Sequence, residues 1–237
     1  MKHKGVIFDL GGTLIYNFPV REGIKVLEQV ASVFSVSSDD FIKLFYSTYN
    51  DGVLGVLKDT GTIIEYICEK LGIHPVNTQA KLATQILFDY VKRSMIPLPD
   101  ATEVLSHLKS SGYKIGLITN CTDDVVKVWQ NMPFAPLFDI TVFSCIVGMK
   151  KPDPRIYQIA MEQLRIEPQS CLYIGNGDNQ ELTGAAQVGM YPVLIRIPDE
   201  ANIDVYRRNN EGDKWDGPII TSLRDVITLV EAPKNNH

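Results

Sequence analysis

The sequence predicts an α/β fold, a doubly wound parallel sheet with a helical cap inserted after its first strand. Three observations carry that expectation. The apolar run Gly5-Val6-Ile7-Phe8 stops at a lone carboxylate, Asp9, and at once meets Gly11, Gly12 and Thr13. Such a run reads as a strand buried on both faces that delivers Asp9 to a tight turn. Residues 19–95 then show helical spacing of apolar positions with few strand signals. From Pro97 onward short apolar runs alternate with amphipathic ones, the pattern of βα units on a parallel sheet.

The elements follow in order. In the helical block, 21–34 carries Ile24, Val26, Leu27, Val30 and Ala31 at helical spacing. Ser37 or Ser38 can cap a second helix bearing Phe41, Leu44, Phe45 and Tyr49, and two more are expected over 62–71, ended by Gly72, and 78–95. Four helices thus define a cap over 17–95 and leave 1–16 and 96–237 as the core. Past the cap, a helix over 102–110 ends at Gly112, and a strand over 113–118 finishes in Thr119-Asn120. Thr122 or Asp123 caps the next helix, and a short strand over 140–144 leads to Lys151-Pro152-Asp153-Pro154. There Asp153 can cap and Pro154 can open a helix to Leu164. The run 171–174 ends in Gly175-Asn176-Gly177-Asp178-Asn179-Gln180-Glu181 before a helix to Gly189. Strands over 191–197 and 219–220 and a helix over 223–230 close the domain, and the polar stretch 199–217 reads as a surface loop.

Composition narrows the function classes. With 237 residues, 45% hydrophobic and 22% charged, the chain is an ordinary globular one with room for a substantial core. A formal charge of -5 gives no basic field for nucleic acid, although a small phosphorylated substrate needs only local cations. Cys68, Cys121, Cys145 and Cys171 are widely spaced without a Cys-x-x-Cys pattern, as expected of free thiols. No run has the length of a membrane helix, and the first residues lack a signal-peptide pattern, so a cytoplasmic protein without membrane partners is expected, as monomer or homodimer. His3, His74, His107 and His237 lie away from the strand ends, which argues against a histidine base or a zinc site.

Four loops at the strand ends carry, in sequence order, Asp9 with Thr13, Thr119 with Asn120, Lys151, and the Asp178/Glu181 cluster. This order resembles the haloacid dehalogenase superfamily, and the resemblance spans nearly the whole chain, cap included. It implies a hydrolase with Asp9 as nucleophile, Thr119 binding the transferring group and Lys151 holding nucleophile and phosphate together. It further implies substrate contacts from Gly12, Thr13 and Asn120. A magnesium ion would be held by Asp9, the Gly11 carbonyl, Asn176, Asp178 and Glu181. The residue types make chemical sense, because a carboxylate attacking a phosphate dianion needs cations to offset like-charge repulsion. Lys151 supplies one, and a divalent, oxygen-seeking ion would supply more.

Two positions depart from the family pattern. Phosphatases of this type usually carry Asp-x-Asp, the second aspartate serving as acid and base; Gly11 stands there. Asn176 stands where an aspartate usually ligates the metal. The preferred expectation is magnesium-dependent hydrolysis of a small phosphomonoester. The departures also suit a metal-independent 2-haloacid dehalogenase, for which Lys151 and Tyr157 resemble a known lysine and tyrosine pair, or a homologue that binds a phosphorylated ligand or a protein without turnover. Tyr157 also reads as a residue on the apolar face of its helix. The only arginines of the cap, Arg21 and Arg93, lie near its ends rather than in the second cap helix, where a halide-binding arginine is expected.

Overall fold

The computed structural model describes residues 3–198 and 210–231. Part of the polar stretch 199–217 and His237 therefore lie outside the described residues. Six strands, β1 (Gly5–Phe8), β2 (Lys114–Thr119), β3 (Ile140–Phe143), β4 (Cys171–Gly175), β5 (Tyr191–Ile195) and β6 (Ile219–Ile220), form one sheet of order β3-β2-β1-β4-β5-β6. Every pairing in it is parallel.

Side chains of a strand alternate between faces, and both faces of this sheet are covered. Val6 and Phe8 of β1 enter one apolar cluster with Leu172 and Ile174 of β4. Helices α6 (Ala101–Ser110), α7 (Asp123–Trp129) and α11 (Asp225–Glu231) cover that face. Ile7, Cys171 and Tyr173 enter the other cluster, under α9 (Pro154–Leu164) and α10 (Glu181–Gln187). Two expected caps form, Asp153 accepting the Arg155 N–H at 2.9 Å with Pro154 opening α9 and Ser37 accepting the Asp40 N–H at 3.4 Å, whereas Thr122 precedes α7 without a side-chain capping bond. A short α8 (Ser144–Val147) takes up the end of the run expected as strand over 140–144.

Between β1 and α6 the chain forms α1 (Val20–Val33), α2 (Ser38–Ser47), α3 (Tyr49–Val53), α4 (Thr60–Lys70) and α5 (Asn77–Ser94). That is five helices rather than the expected four. Thr48 turns its hydroxyl back onto the Phe45 carbonyl at 2.7 Å and ends α2, so Tyr49 starts a helix of its own. The insert has its own apolar cluster, built from residues such as Val30, Phe41, Ile64, Ile67 and Leu87. It touches the core through the Thr60 hydroxyl on Asp124 and through Lys150 Nζ, which donates to Asn50 Oδ1 at 2.6 Å. No helix among the described residues is long and apolar enough to cross a membrane.

The order puts β1 between β2 and β4, so the carboxyl ends of these three strands face one crevice. Ligands of open α/β sheets bind at such a place.

Candidate active site

Asp9 directly follows β1, and its N–H donates to the Ile174 carbonyl at 2.9 Å. A closed turn comes next: Leu14 N–H donates to Leu10 O at 2.8 Å and Gly12 N–H to Ile15 O at 2.8 Å. Gly12 has φ +67°, and a Cβ there would meet Asn176 Nδ2 at 2.3 Å, so only glycine fits. Gly12 and Thr13 thus differ from the expectation of substrate contact. The Gly12 N–H is consumed within the turn, and Thr13, fully buried, places Oγ1 3.5 Å from Asp9 Oδ2.

Lys151 reaches Asp9 from the loop before α9. Its Nζ contacts Asp9 Oδ1 and donates to Glu181 Oε2 at 2.5 Å, and its side chain is only 2% exposed. Burial works against the ammonium, but the carboxylates of Asp9 and Glu181 outweigh it and hold the lysine protonated. Glu181 sits at the start of α10 with no exposed surface. Its Oε2 also accepts the Tyr173 hydroxyl at 2.8 Å, and its Oε1 accepts the Gly177 N–H at 3.0 Å. Burial, with Asp9 adding, pushes Glu181 up to about 8 against the opposing pull of Lys151. With both oxygens engaged, Glu181 is placed as the partner of Lys151, not as the open cation ligand that the motif implied. Tyr157, fully buried, donates to the Glu181 carbonyl at 2.9 Å from behind, as an apolar-face residue of α9 would.

Asn120 clamps the lysine from the backbone side. Its Oδ1 accepts the Lys151 N–H at 2.8 Å and its Nδ2 donates to the Lys151 carbonyl at 3.3 Å. The amide is occupied at both ends, so Asn120 positions Lys151, where substrate contact was expected.

Two adjoining cavities meet at these residues. A polar one of about 200 Å³ is lined by Asp9, Gly11, Thr119, Lys151, Asp178 and Tyr49, among others. A wider one of about 330 Å³ shares Gly11, Asn17, Thr119 and Asn120 with it and extends to the insert, where Phe45, Tyr46, Leu87 and Tyr90 line it. Of the aromatic residues of α2 and α3, Phe41 is buried in the insert's own core and Phe45 packs against it, while Phe45, Tyr46 and Tyr49 line the cavities.

Magnesium asks for hard oxygen donors, one or two of them carboxylates, and keeps several waters. Asp9, Asp178 and the Gly11 carbonyl bring such donors to the polar cavity. Asn176 does not belong to that set. Its Nδ2 donates to the Gly11 carbonyl at 3.0 Å and its Oδ1 accepts the Asp178 N–H at 3.0 Å, an orientation that a flipped amide would lose on both sides. Asp178 is brought in by left-handed backbone at Gly177, Asn179 and Gln180, and among the described residues no group of three or more His, Cys, Asp or Glu gathers around a cation position. The donors therefore fit magnesium through two carboxylates and one carbonyl, fewer groups than the motif implied.

Asn210 and Glu211 belong to the site's support although nothing in their spacing singled them out. Asn210 Nδ2 donates to Asp178 Oδ1 at 2.7 Å, and Glu211 Oε1 accepts the Leu182 N–H at 2.7 Å at the start of α10. The one available signal was that their polar stretch follows a strand end. Lys150 binds Asn50 and lies over the Tyr49 ring at 5.7 Å. Cys121 lines the wider cavity, where burial holds its thiol well above its ordinary value, and no histidine among the described residues lines either cavity.

Comparison with known proteins adds three kinds of finding. A family model described as haloacid dehalogenase-like hydrolase matches residues 3–189. Curated relatives named glyceraldehyde 3-phosphate phosphatase include the following two. That of Methanothermobacter thermautotrophicus is 30% identical over 151 residues, which make up 62% of this chain and 63% of the relative, less than two thirds of its length. That of Pyrococcus furiosus is 23% identical over 236 residues, 96% of this chain and 93% of the relative. Two solved structures share the fold. A 2-haloacid dehalogenase from Pseudomonas syringae has a TM-score of 0.69 at 16% identity, covering 96% of this chain and 98% of its own. An enzyme from Bacteroides thetaiotaomicron, solved with magnesium and inorganic phosphate, has a TM-score of 0.63 at 19% identity, covering 82% and 94%.

Proposed function

The chain belongs to the haloacid dehalogenase-like hydrolases, and from that premise we propose that it hydrolyses a small phosphomonoester through the carboxylate of Asp9. The observation that carries this reading is Lys151 Nζ bound at once to Asp9 and Glu181, beside a polar cavity lined by Asp9 and Thr119. The name of the two phosphatase relatives supports a phosphate ester as substrate.

Attack of a carboxylate on a phosphate dianion meets repulsion of about 4 kcal/mol per unit pair at 4 Å and an effective dielectric of 20. The Lys151 ammonium offsets part of it and holds Asp9 in place. Thr119 offers its hydroxyl to the transferring group, and Asn120 fixes the backbone from which Lys151 extends. Glu181 orients Lys151 from the side away from the cavity. Magnesium, when held by Asp9, Asp178 and the Gly11 carbonyl, would neutralise phosphate charge as a Lewis acid. Phosphate release from an activated ester, with and without magnesium, tests the reading. It is expected to require Asp9 and to be lost in Asp9→Asn; release that survives in Asp9→Asn overturns it.

One observation favours a second reading. The Asn176 amide, directed at the Gly11 carbonyl, and the missing acid at Gly11 suit displacement of a halide, which leaves without a proton. Metal-independent halide release from a 2-haloacid by the wild type, absent in Asp9→Asn, would favour it over the phosphatase reading.

A further inference from the structure

The walls of the wider cavity differ in kind from those around Asp9. Phe18, Leu27, Phe45, Leu87 and Val125 give it an apolar surface. Among the described residues lining it there is no carboxyl, imidazole, ammonium or guanidinium group. Two of its polar side chains are engaged elsewhere: the Tyr90 hydroxyl donates to the Pro19 carbonyl at 3.1 Å, and the Asn120 amide bonds the Lys151 backbone. A second anionic group on a substrate would enter this space without a counter-charge, and an unpaired buried charge is strongly disfavoured.

The volume sets the size of what fits. A dry cavity of roughly 150 Å³ takes up benzene, so about 330 Å³ suits a bicyclic ring or a branched apolar group of comparable bulk.

A separate feature concerns the leaving oxygen. Gly11 lies where the two cavities meet and supplies no proton, and among the described residues no acid lines the apolar side. The leaving oxygen must therefore depart as an anion, which a phenolic oxygen tolerates far better than an alkoxide; a phenol such as the tyrosine side chain ionises near pH 10.

We infer that the substrates are monoesters of phosphate with an uncharged, apolar aromatic alcohol, a ring-borne hydroxyl of phenolic or enolic character. The inference rests on the phosphomonoesterase reading and specifies its substrate class. In the first step a bond forms between an Asp9 oxygen and phosphorus while the bond from phosphorus to the aryl oxygen breaks. The aryl oxygen keeps the electron pair and leaves as the phenolate, protonated afterwards by solvent. Water then attacks the aspartyl phosphate, releasing inorganic phosphate and returning the Asp9 carboxylate. Phe45 and Leu87 hold the ring, and the ester oxygen lies at the junction beside Gly11 and Thr119.

The test compares phosphate release from 1-naphthyl phosphate, glycerol 3-phosphate and acetyl phosphate by wild type, Asp9→Asn, Gly11→Asp and Tyr46→Glu. Acetyl phosphate needs neither an acid nor an apolar pocket, so its Asp9-dependent hydrolysis reports the underlying chemistry alone. Without such hydrolysis of acetyl phosphate or of either ester, the phosphomonoesterase reading falls and the inference with it. With that chemistry present, kcat/KM for the naphthyl ester is expected to exceed that for glycerol 3-phosphate by about 100-fold or more, the lower end of what a positioned acid supplies. Comparable values for the two esters overturn the inference and leave the phosphatase reading standing. Gly11→Asp, where the nearest atom to a new Cβ is Asn17 Oδ1 at 3.6 Å and a side chain has room, is expected to narrow the ratio by raising glycerol 3-phosphate turnover. Tyr46→Glu, at an exposed wall residue outside the insert's own core, is expected to lose at least about tenfold more on naphthyl than on acetyl phosphate; equal losses count against the pocket.

Discussion

Lys151 Nζ lies 2.5 Å from Glu181 Oε2, with both side chains almost wholly out of water. Because Asp9 contacts the same nitrogen, the lysine is, among the described residues, the one cation of a buried cluster holding two carboxyl groups. Lys151→Met leaves those groups without it, and breaking such a cluster costs about 3–5 kcal/mol. A urea melt of Lys151→Met is expected to show that loss along with abolished Asp9-dependent turnover. An unchanged midpoint would mean that water reaches the cluster.

Glu181 gives stability a pH dependence of definite sign. Its carboxyl titrates near the ordinary 4.5 in the unfolded chain and at about 8 in the folded one, raised by burial first and by Asp9 second. Between those values the folded state holds a proton that the unfolded state has released. The contribution is fully present below about 4.5 and is lost as pH rises through about 8. Glu181→Gln cannot release that proton, so its stability is expected to fall less than that of the wild type from pH 5 to pH 9 in matched melts. Parallel curves would contradict the assignment.

Asn176→Asp reverses a contact. The wild-type Nδ2 donates to the Gly11 carbonyl at 3.0 Å, whereas an aspartate oxygen there would face another oxygen. Without magnesium the variant is expected to lose about 1–3 kcal/mol. With magnesium the added charge joins Asp9 and Asp178, and the thermal midpoint is expected to climb with metal concentration more steeply than in wild type. A variant indifferent to magnesium would remove these residues as its ligands.

These residues also mark what could be read from the sequence. Asp9, Thr119 and Lys151 were legible because each stands at a change of pattern, where an apolar run or a helix start meets polar residues, and the parallel sheet brings such places to one edge. The sheet itself was legible because burial on both faces demands unbroken apolar strands. The roles of Gly12, Asn120 and Glu181 were not, since a motif names a position without saying whether its polar atoms are already engaged. Asn210 was out of reach for a different reason. It acts on Asp178 and Asn176 from 32 and 34 residues away, out of a stretch with no periodicity. The break at Thr48 turned on a hydroxyl bonding to a carbonyl, which helical spacing does not register.

Tyr157 offers a test in which two losses should partly cancel. Its hydroxyl donates to the Glu181 carbonyl at 2.9 Å, and its ring meets Tyr173 edge-on at 5.6 Å. A Cβ on Gly184 would come within 2.6 Å of that hydroxyl, in a place where the fully buried tyrosine has no room to move. Gly184→Ala is therefore expected to destabilise by about 1–3 kcal/mol through overpacking, and Tyr157→Phe by about 1 kcal/mol through the lost hydrogen bond. Removing the hydroxyl relieves the worst of the clash and leaves ring carbons at 3.0 Å, so the double variant should be less destabilised than the sum of the singles, by an interaction energy of about 0.5–3 kcal/mol. Activity separates the two readings of Tyr157: as a support behind Glu181, its phenylalanine variant should keep turnover within about fivefold. A fall of 100-fold or more without loss of fold would make the tyrosine hydroxyl part of the reaction, as the dehalogenase pairing with Lys151 requires.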